Sequence, residues 1–218
     1  MKRVYIVVEG QTEQEFVRSV LGPYFLAKGV IVVTPILIRT SKTGRGGHVN
    51  AHHLMNTVKG LLDTKKADVV VSTFVDYFRI PNNMPGYEAS MSRRDDSSRV
   101  ESLEAALEME VSDSRFVPYI QLHEFEALLF SSNKGFEEYF TSDQSVKTAE
   151  IIAEFVNPED INSSPETAPS KRILALERRY DKVLQGNLIA MDVGIDAMLA
   201  KCPRFSSWVE RLVDLAKS

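Results

Sequence analysis

Apolar positions along the chain fall into two patterns: short unbroken runs, and stretches where they recur every three or four residues. The run from Val4 to Val8 predicts a strand over Arg3–Val8 that is buried on both faces. Gly10 interrupts it. Beyond Gly10, Phe16, Val17, Val20, Leu21 and Tyr24 recur at helical spacing as far as Gly29, and Thr12 with Glu15 reads as a capping box opening that helix. Val30–Ile38 is the second predicted strand. The segment Thr40–Gly47, TSKTGRGG, is too rich in Gly and Ser/Thr for regular structure. Ala51–Leu62 carries Leu54, Met55, Val58, Leu61 and Leu62 along one helical face, and Val69–Val75 is a continuous apolar strand that stops at Asp76. Arg79–Arg93 has prolines and glycines but no apolar period, which predicts a long loop and a candidate lid. Val100–Val111 is a third helix, Phe116–Leu122 a fourth strand, and His123–Phe130 the opening of another helix.

The alternation of near-continuous strands with amphipathic helices predicts an α/β fold: a mostly parallel four-stranded sheet with helices on both faces. Beyond Ser131 no strand pattern appears, and helical segments are expected near Val146–Phe155, Lys171–Asp181, Ile195–Lys201 and Ser206–Leu215. These helices are short, and isolated helices below about 12–15 residues are marginal. The expected organisation is therefore an α/β core over residues 1–130 with a helical extension, 131–218, packed on the same sheet.

Composition narrows the setting. The 218 residues are 44% hydrophobic and 26% charged, ordinary values for a globular chain. No apolar run approaches the roughly 18 residues of a membrane span, and Val4–Val8 is too short for a signal h-region of about 7–15 residues. A single cysteine, Cys202, allows no internal disulfide and no cysteine-based zinc site. A cytoplasmic protein with no membrane partner is expected. The net charge of −4 argues against coating nucleic acid over the whole surface, yet Arg39–His53 carries only basic charge, including Lys42, Arg45, His48, His52 and His53. The histidines lack an HExxH pattern and a companion cysteine, so a solvated loop and helix start accounts for them. Neither G-x-x-x-x-G-K-[ST] nor G-x-G-x-x-G occurs.

Ligands of open parallel sheets bind beyond the carboxyl ends of the strands, and here those ends are acidic. Glu9 follows the first strand and Glu13 the first turn of the next helix. Asp76 ends the third strand, and Glu124 and Glu126 follow the fourth in IQLHEFEALLF. Glu13 alone has a plain structural explanation, since an acid at a helix start is favoured by the dipole. Glu124 and Glu126 diverge on a regular helix, so one of them, with Glu124 nearer the strand, is the expected ligand. Carboxylates converging there would repel one another unless a hard cation sat between them, which points to one or two Mg²⁺ or Mn²⁺ ions. In ETAPSKRI, Lys171 and Arg172 enter a helix start against its dipole, which suits contact with an anion.

The stretches VEGQTEQEFV, FVDYFRIP, YIQLHEFEALLF, NPEDINSSPETAPSKRI and CPRFSSWVERL resemble, in this order, the bacterial domain of unknown function 4276. That family looks like a compact relative of the TOPRIM fold of topoisomerases, primases and the overcoming-lysogenisation-defect nucleases, some of whose relatives partner ATPases in anti-phage systems. The resemblance implies metal-binding roles for Glu9, Glu13 and Asp76, the last matching the first aspartate of the nucleases' D-x-D. Position 78 departs from the pattern, being Phe78, so Glu124 or Glu126 would have to compensate. Lys171 would correspond to the nucleases' lysine. The expectation is a Mg²⁺- or Mn²⁺-dependent nuclease or phosphodiesterase in anti-phage defence or DNA metabolism. Glu13 and Lys171 would be catalytic, and Arg45, Arg79, Arg93 and Arg172 would hold nucleic-acid phosphates. The rivals are a non-enzymatic partner subunit of an AAA- or ABC-type ATPase and a phosphatase of small phosphoesters.

Overall fold

The structure, a computed structural model, describes residues 2–38, 50–63, 68–161, 164 and 166–218. The Thr40–Gly47 loop, with Arg45, and His48 lie outside the described residues. The strands are β1 (Arg3–Val8), β2 (Val33–Leu37), β3 (Val69–Asp76), β4 (Phe116–Val117) and β5 (Ile120–Gln121), in the spatial order β2-β1-β3-β4, with β5 also against β3. Every pairing is parallel.

The expected fourth strand, Phe116–Leu122, is broken rather than continuous. Val71 pairs with Phe116 and Val75 with Ile120, so β4 and β5 keep one register across a two-residue gap. Pro118 lies in that gap and has no N–H to give to a ladder. Hydroxyls of β3 bridge it instead: Ser72 Oγ donates to Val117 O (2.6 Å) and Thr73 Oγ1 to Tyr119 O (2.8 Å). At the other edge, Val4 N–H donates to Val32 O and Ile38 N–H to Val8 O, so even-numbered residues of β2 face β1. Pro35 therefore faces outward, where a missing donor costs the sheet nothing.

The first helix runs over residues 11–27 as α1 (Gln11–Phe16), a π-helical turn (Val17–Leu21) and α2 (Gly22–Ala27). It starts earlier than the Thr12/Glu15 pattern suggests: Gly10 is the N-cap, and its N–H donates to Glu13 Oε2 at 2.9 Å. Glu15 is exposed and faces Arg18 at 3.8 Å. The helices α3 (Ala51–Leu62) and α5 (Asp96–Val111) cover the opposite face. Between β3 and α5 the expected loop contains a short helix, α4 (Tyr87–Met91). Gly86 before it has φ 75°, and a Cβ there would stand 2.4 Å from Ala106 Cβ, so the loop is docked on α5.

After β5 the chain forms a 3₁₀ helix, Phe125–Ser131, in place of the expected α-helix, then α6 (Lys134–Tyr139), α7 (Ser142–Glu154), a 3₁₀ turn (Pro158–Asp160), α8 (Pro169–Leu176), α9 (Leu184–Val193), α10 (Ile195–Lys201) and α11 (Pro203–Lys217). The periodicity had no counterpart for α6 or α9. Ile189, Val193, Phe205, Trp208 and Leu212 from these helices join Val4, Ile6, Val8, Val70, Phe74 and Phe16 in one buried cluster. Trp208 stacks on Tyr119 (centroids 4.4 Å apart) and Phe74 (5.5 Å), and its Nε1–H donates to Ser72 Oγ at 2.8 Å. Each such aromatic contributes about 1.5–3 kcal/mol by burial, and the polar tips of Trp208 and Tyr119 are satisfied, the latter by Gln121 Oε1 at 2.9 Å. The second cluster, on the other face, packs Val7, Val71 and Val75 against Leu54, Val58, Leu103 and Leu107.

Candidate acidic cleft at the strand ends

β1 and β3 are neighbours, so Glu9 and Asp76 emerge side by side at the carboxyl edge of the sheet. They line a cleft of about 440 Å³ together with Phe78, Arg79, Glu124, Lys171 and Lys182. The chain turns sharply there. Tyr77 N–H donates to Gln121 O (2.9 Å) and Phe78 N–H to His123 O (2.8 Å), while Arg79 and His123 both adopt left-handed backbone, φ 63° and 67°. Non-glycine residues in that region are uncommon and cluster at functional sites.

Asp76 is the centre of the charge distribution. Its Oδ1 accepts the Phe125 N–H at 2.9 Å, which anchors the first residue of the 3₁₀ helix to the end of β3. Burial, then the nearby Glu13, Glu126 and Glu9 carboxylates, push the Asp76 carboxyl well above its ordinary value, and Lys182 opposes them. Glu9 is exposed at the lip, yet enough protein crowds it that desolvation, then Glu13, raises its carboxyl too, while Lys182 and the Asp76 backbone lower it. Glu13 is buried and raised by desolvation, against its own N–H, Lys182 and the Gly10 N–H.

Glu126 lies behind them with no solvent exposure. The Lys182 ammonium is 3.1 Å from its Oε1, and its Oε2 has no donor among the described residues. Desolvation, countered by Lys182 and reinforced by Glu124, brings its carboxyl to about 7. Burial works against the Lys182 charge, but the field of Glu126, Asp76 and Glu124 more than offsets it and holds the ammonium above its ordinary value. Glu124 is buried and engaged: Ser170 donates to it through both N–H (2.9 Å) and Oγ–H (3.0 Å) at the start of α8. An anion there also complements the helix dipole.

Of the remaining residues singled out in the sequence, Lys171 and Arg79 line the cleft with exposed side chains. Arg93 is exposed on the α4–α5 turn, outside the cleft lining. Arg172 is turned away from the cleft: its Nε–H donates to Thr167 O (3.0 Å), its Nη1 is 3.9 Å from Glu154, and its guanidinium lies over Phe155. Lys182 is the residue that the sequence pattern misses. It stands in a polar turn after α8, and nothing within its own segment signals that its partners are acids from two distant strand ends.

The donor set fits one hard divalent cation more readily than a closed cage. Glu13 and Glu124 already accept backbone N–H groups, Glu126 is paired with Lys182, and no group of three His, Cys, Asp or Glu among the described residues is arranged as a metal cluster. Glu9, exposed at the lip although the Asp76 N–H bonds one side of it, and the second oxygen of Asp76 remain closest to open cleft. Mg²⁺ is commonly held by one or two carboxylates, with water and substrate phosphate completing the shell. The crowding of acids around Asp76 and the orphaned Glu126 Oε2 both call for more positive charge than Lys182 supplies.

A family model described as Domain of unknown function (DUF4276) matches residues 8–213. The chain belongs to that family. No curated protein matches it. Among solved structures, this DUF4276 chain is similar to the C-terminal region of the OLD protein of Xanthomonas campestris pv. campestris. One structure of that region has 15% identity, covers 99% of this chain and 94% of the other, and gives a TM-score of 0.52; a second has 14% identity, covers 100% and 99%, and gives 0.50. The corresponding region from Burkholderia pseudomallei has 15% identity, covers 98% and 99%, and gives 0.50. These likenesses bear on the fold, which is α/β and TOPRIM-like, as the sequence motifs imply. Among the described residues no helix is long and apolar enough to cross a membrane.

Proposed function

We propose that this DUF4276 chain is a Mg²⁺- or Mn²⁺-dependent phosphodiesterase acting on nucleic acid. The observation that carries the reading is the pairing of Glu9 and Asp76 at adjacent strand ends of one cleft, inside a field of carboxylates that Lys182 only partly neutralises. A bound divalent cation would supply Lewis acidity at a phosphoryl oxygen and favour a nucleophilic water. Glu9 and Asp76 would hold the ion. Glu13, buried behind the cleft lining and tied by the Gly10 N–H, would orient water or a second ion. Lys171 and Lys182, both in the cleft wall, would face the charge developing on phosphate, and Arg79 would hold the flanking backbone. Arg93, exposed outside the cleft lining, would hold an outer phosphate. Glu126 would keep Lys182 charged and oriented.

The test is cleavage of DNA and RNA by the purified chain with Mn²⁺ or Mg²⁺, beside the Asp76→Asn variant, which keeps the acceptor for Phe125 N–H and removes the charge. Loss of cleavage with an unchanged circular dichroism spectrum is expected. Equal cleavage by the variant overturns the reading. Phe78, in place of a second aspartate, favours one alternative, an inactive TOPRIM-like subunit that serves an AAA- or ABC-type ATPase. Each matched structure is likewise one region of a larger OLD protein. Such a subunit would bind the ATPase and cleave nothing under any metal. A role in anti-phage defence belongs to either version.

A further inference from the structure

Phe78 is an aromatic residue with no place in the core. It joins neither buried cluster, its side chain is partly exposed, and its ring lies 5.2 Å beneath the Arg79 guanidinium. It also divides two spaces. One is the acidic cleft. The other is a hollow of about 190 Å³ lined by Tyr77, Ile80, Tyr87 and Met91 together with Phe78 and Arg79 themselves. The backbone that presents it is fixed on both sides: Phe78 N–H is bonded to His123 O, and the residues flanking that bond, Arg79 and His123, are both left-handed. Holding a non-glycine residue there costs about 1–2 kcal/mol, which the surrounding hydrogen bonds must sustain. An apolar ring left partly exposed next to a costly backbone turn, beside carboxylates suited to a cation, has a use that ordinary packing does not supply.

We infer that Phe78 and Arg79 form a stacking platform for an unpaired nucleobase beside the cleft, so that the substrate class is single-stranded nucleic acid. This rests on the phosphodiesterase reading, since the cleft is taken to hold the phosphate attached to that base. The chemistry is complementary. A base offers a flat π face to the ring and to the guanidinium plane, and such stacking tolerates any base. Bases inside a duplex have both faces covered by their neighbours and cannot reach a ring recessed between two hollows without being extruded. Tyr77, whose hydroxyl interacts with Arg99, and Tyr87 form a firm wall to the hollow. The aromatic at position 78 thus replaces a charged ligand with a contact that selects the strandedness of the substrate.

The test uses the whole chain in EDTA, where nothing is cut, and an oligonucleotide carrying 2-aminopurine. It is offered single-stranded and as a duplex, in DNA and in RNA. The expected result is tighter binding of single strands of at least one sugar type, with quenching of the fluorophore. Phe78→Leu should weaken that binding roughly tenfold and remove the quenching, while Phe78→Tyr retains both. Circular dichroism of each variant verifies folding. Single-strand binding by Phe78→Leu equal to wild type, binding without quenching, duplex binding as tight as single-strand binding, or no binding at all each overturns the inference. Hydrolysis of bis(p-nitrophenyl) phosphate by the wild-type chain with Mn²⁺ involves no nucleobase, so it reads the phosphodiesterase proposal separately.

Discussion

Two places in the molecule bury acids, and they resolve the cost in opposite ways. At the start of α11, Glu159 has no solvent exposure, and its oxygens accept the N–H groups of Arg204 (2.9 Å) and Phe205 (3.1 Å). Beside it, Glu104 Oε1 accepts from Ile120 N–H (2.8 Å) and Arg204 Nη2 (2.9 Å). Burial raises both carboxyls, but donors and the Arg204 charge oppose it. At the strand ends burial raises Asp76 as well, and there three neighbouring carboxylates add to the rise. Glu126 Oε2 meets no donor among the described residues. The first arrangement is complete as it stands and holds a helix to the sheet. The second is incomplete in a way that stabilises nothing by itself, and a satisfied buried acid is therefore no guide to function whereas an unsatisfied group of them is.

The sharpest break between the two is in activity. Asp76→Asn should lower the rate of cleavage roughly a thousandfold, the several kcal/mol expected when an ion-holding charge is lost, while Glu159→Gln leaves the rate per folded molecule unchanged. Steady-state kinetics on both variants decides it. In stability the order reverses. Glu159→Ala leaves two buried N–H groups of α11 without acceptors and should cost about 3 kcal/mol in urea melts, whereas Asp76→Asn should be neutral or stabilising, since it relieves like-charge repulsion.

A third difference is in pH. Glu126 binds its proton more tightly folded, at about 7, than at its ordinary 4.5. The folded state therefore holds more protons between those values, and its stability is greatest below 4.5 and falls as pH rises to about 7. That loss should be about 3 kcal/mol, and Glu126→Gln should flatten it in melts run across the window. The smallest effect is ion binding. Mg²⁺ at ten times its Kd should stabilise the wild-type chain by about 1.4 kcal/mol, should do so equally in Glu159→Gln, and should fail to do so in Glu9→Gln.

Elements whose cause is local are the ones the sequence reveals. β1, α3 and α10 match their patterns end to end, because strand burial and helical faces are written in consecutive residues. The hydroxyl bridges across the gap at Pro118 and the anchoring of the 3₁₀ helix at Phe125 are bonds that a periodicity does not contain, to β3 residues more than forty positions away. The site divides in the same manner. Glu9 and Asp76 were readable because each ends an apolar run. Lys182 was not, because its partners come from other segments, and Arg172 misled because its place beside Lys171 gave no sign that Glu154 and Phe155 would draw it to the far side.

The outward-facing Pro35 of β2 has a consequence for company. A strand arriving at that edge would find Val33 and Leu37 able to donate and a gap between them, and at the opposite edge it would find two-residue strands parted by Pro118. Neither border accepts an extra strand in continuous register, so the sheet resists templated growth into fibrils.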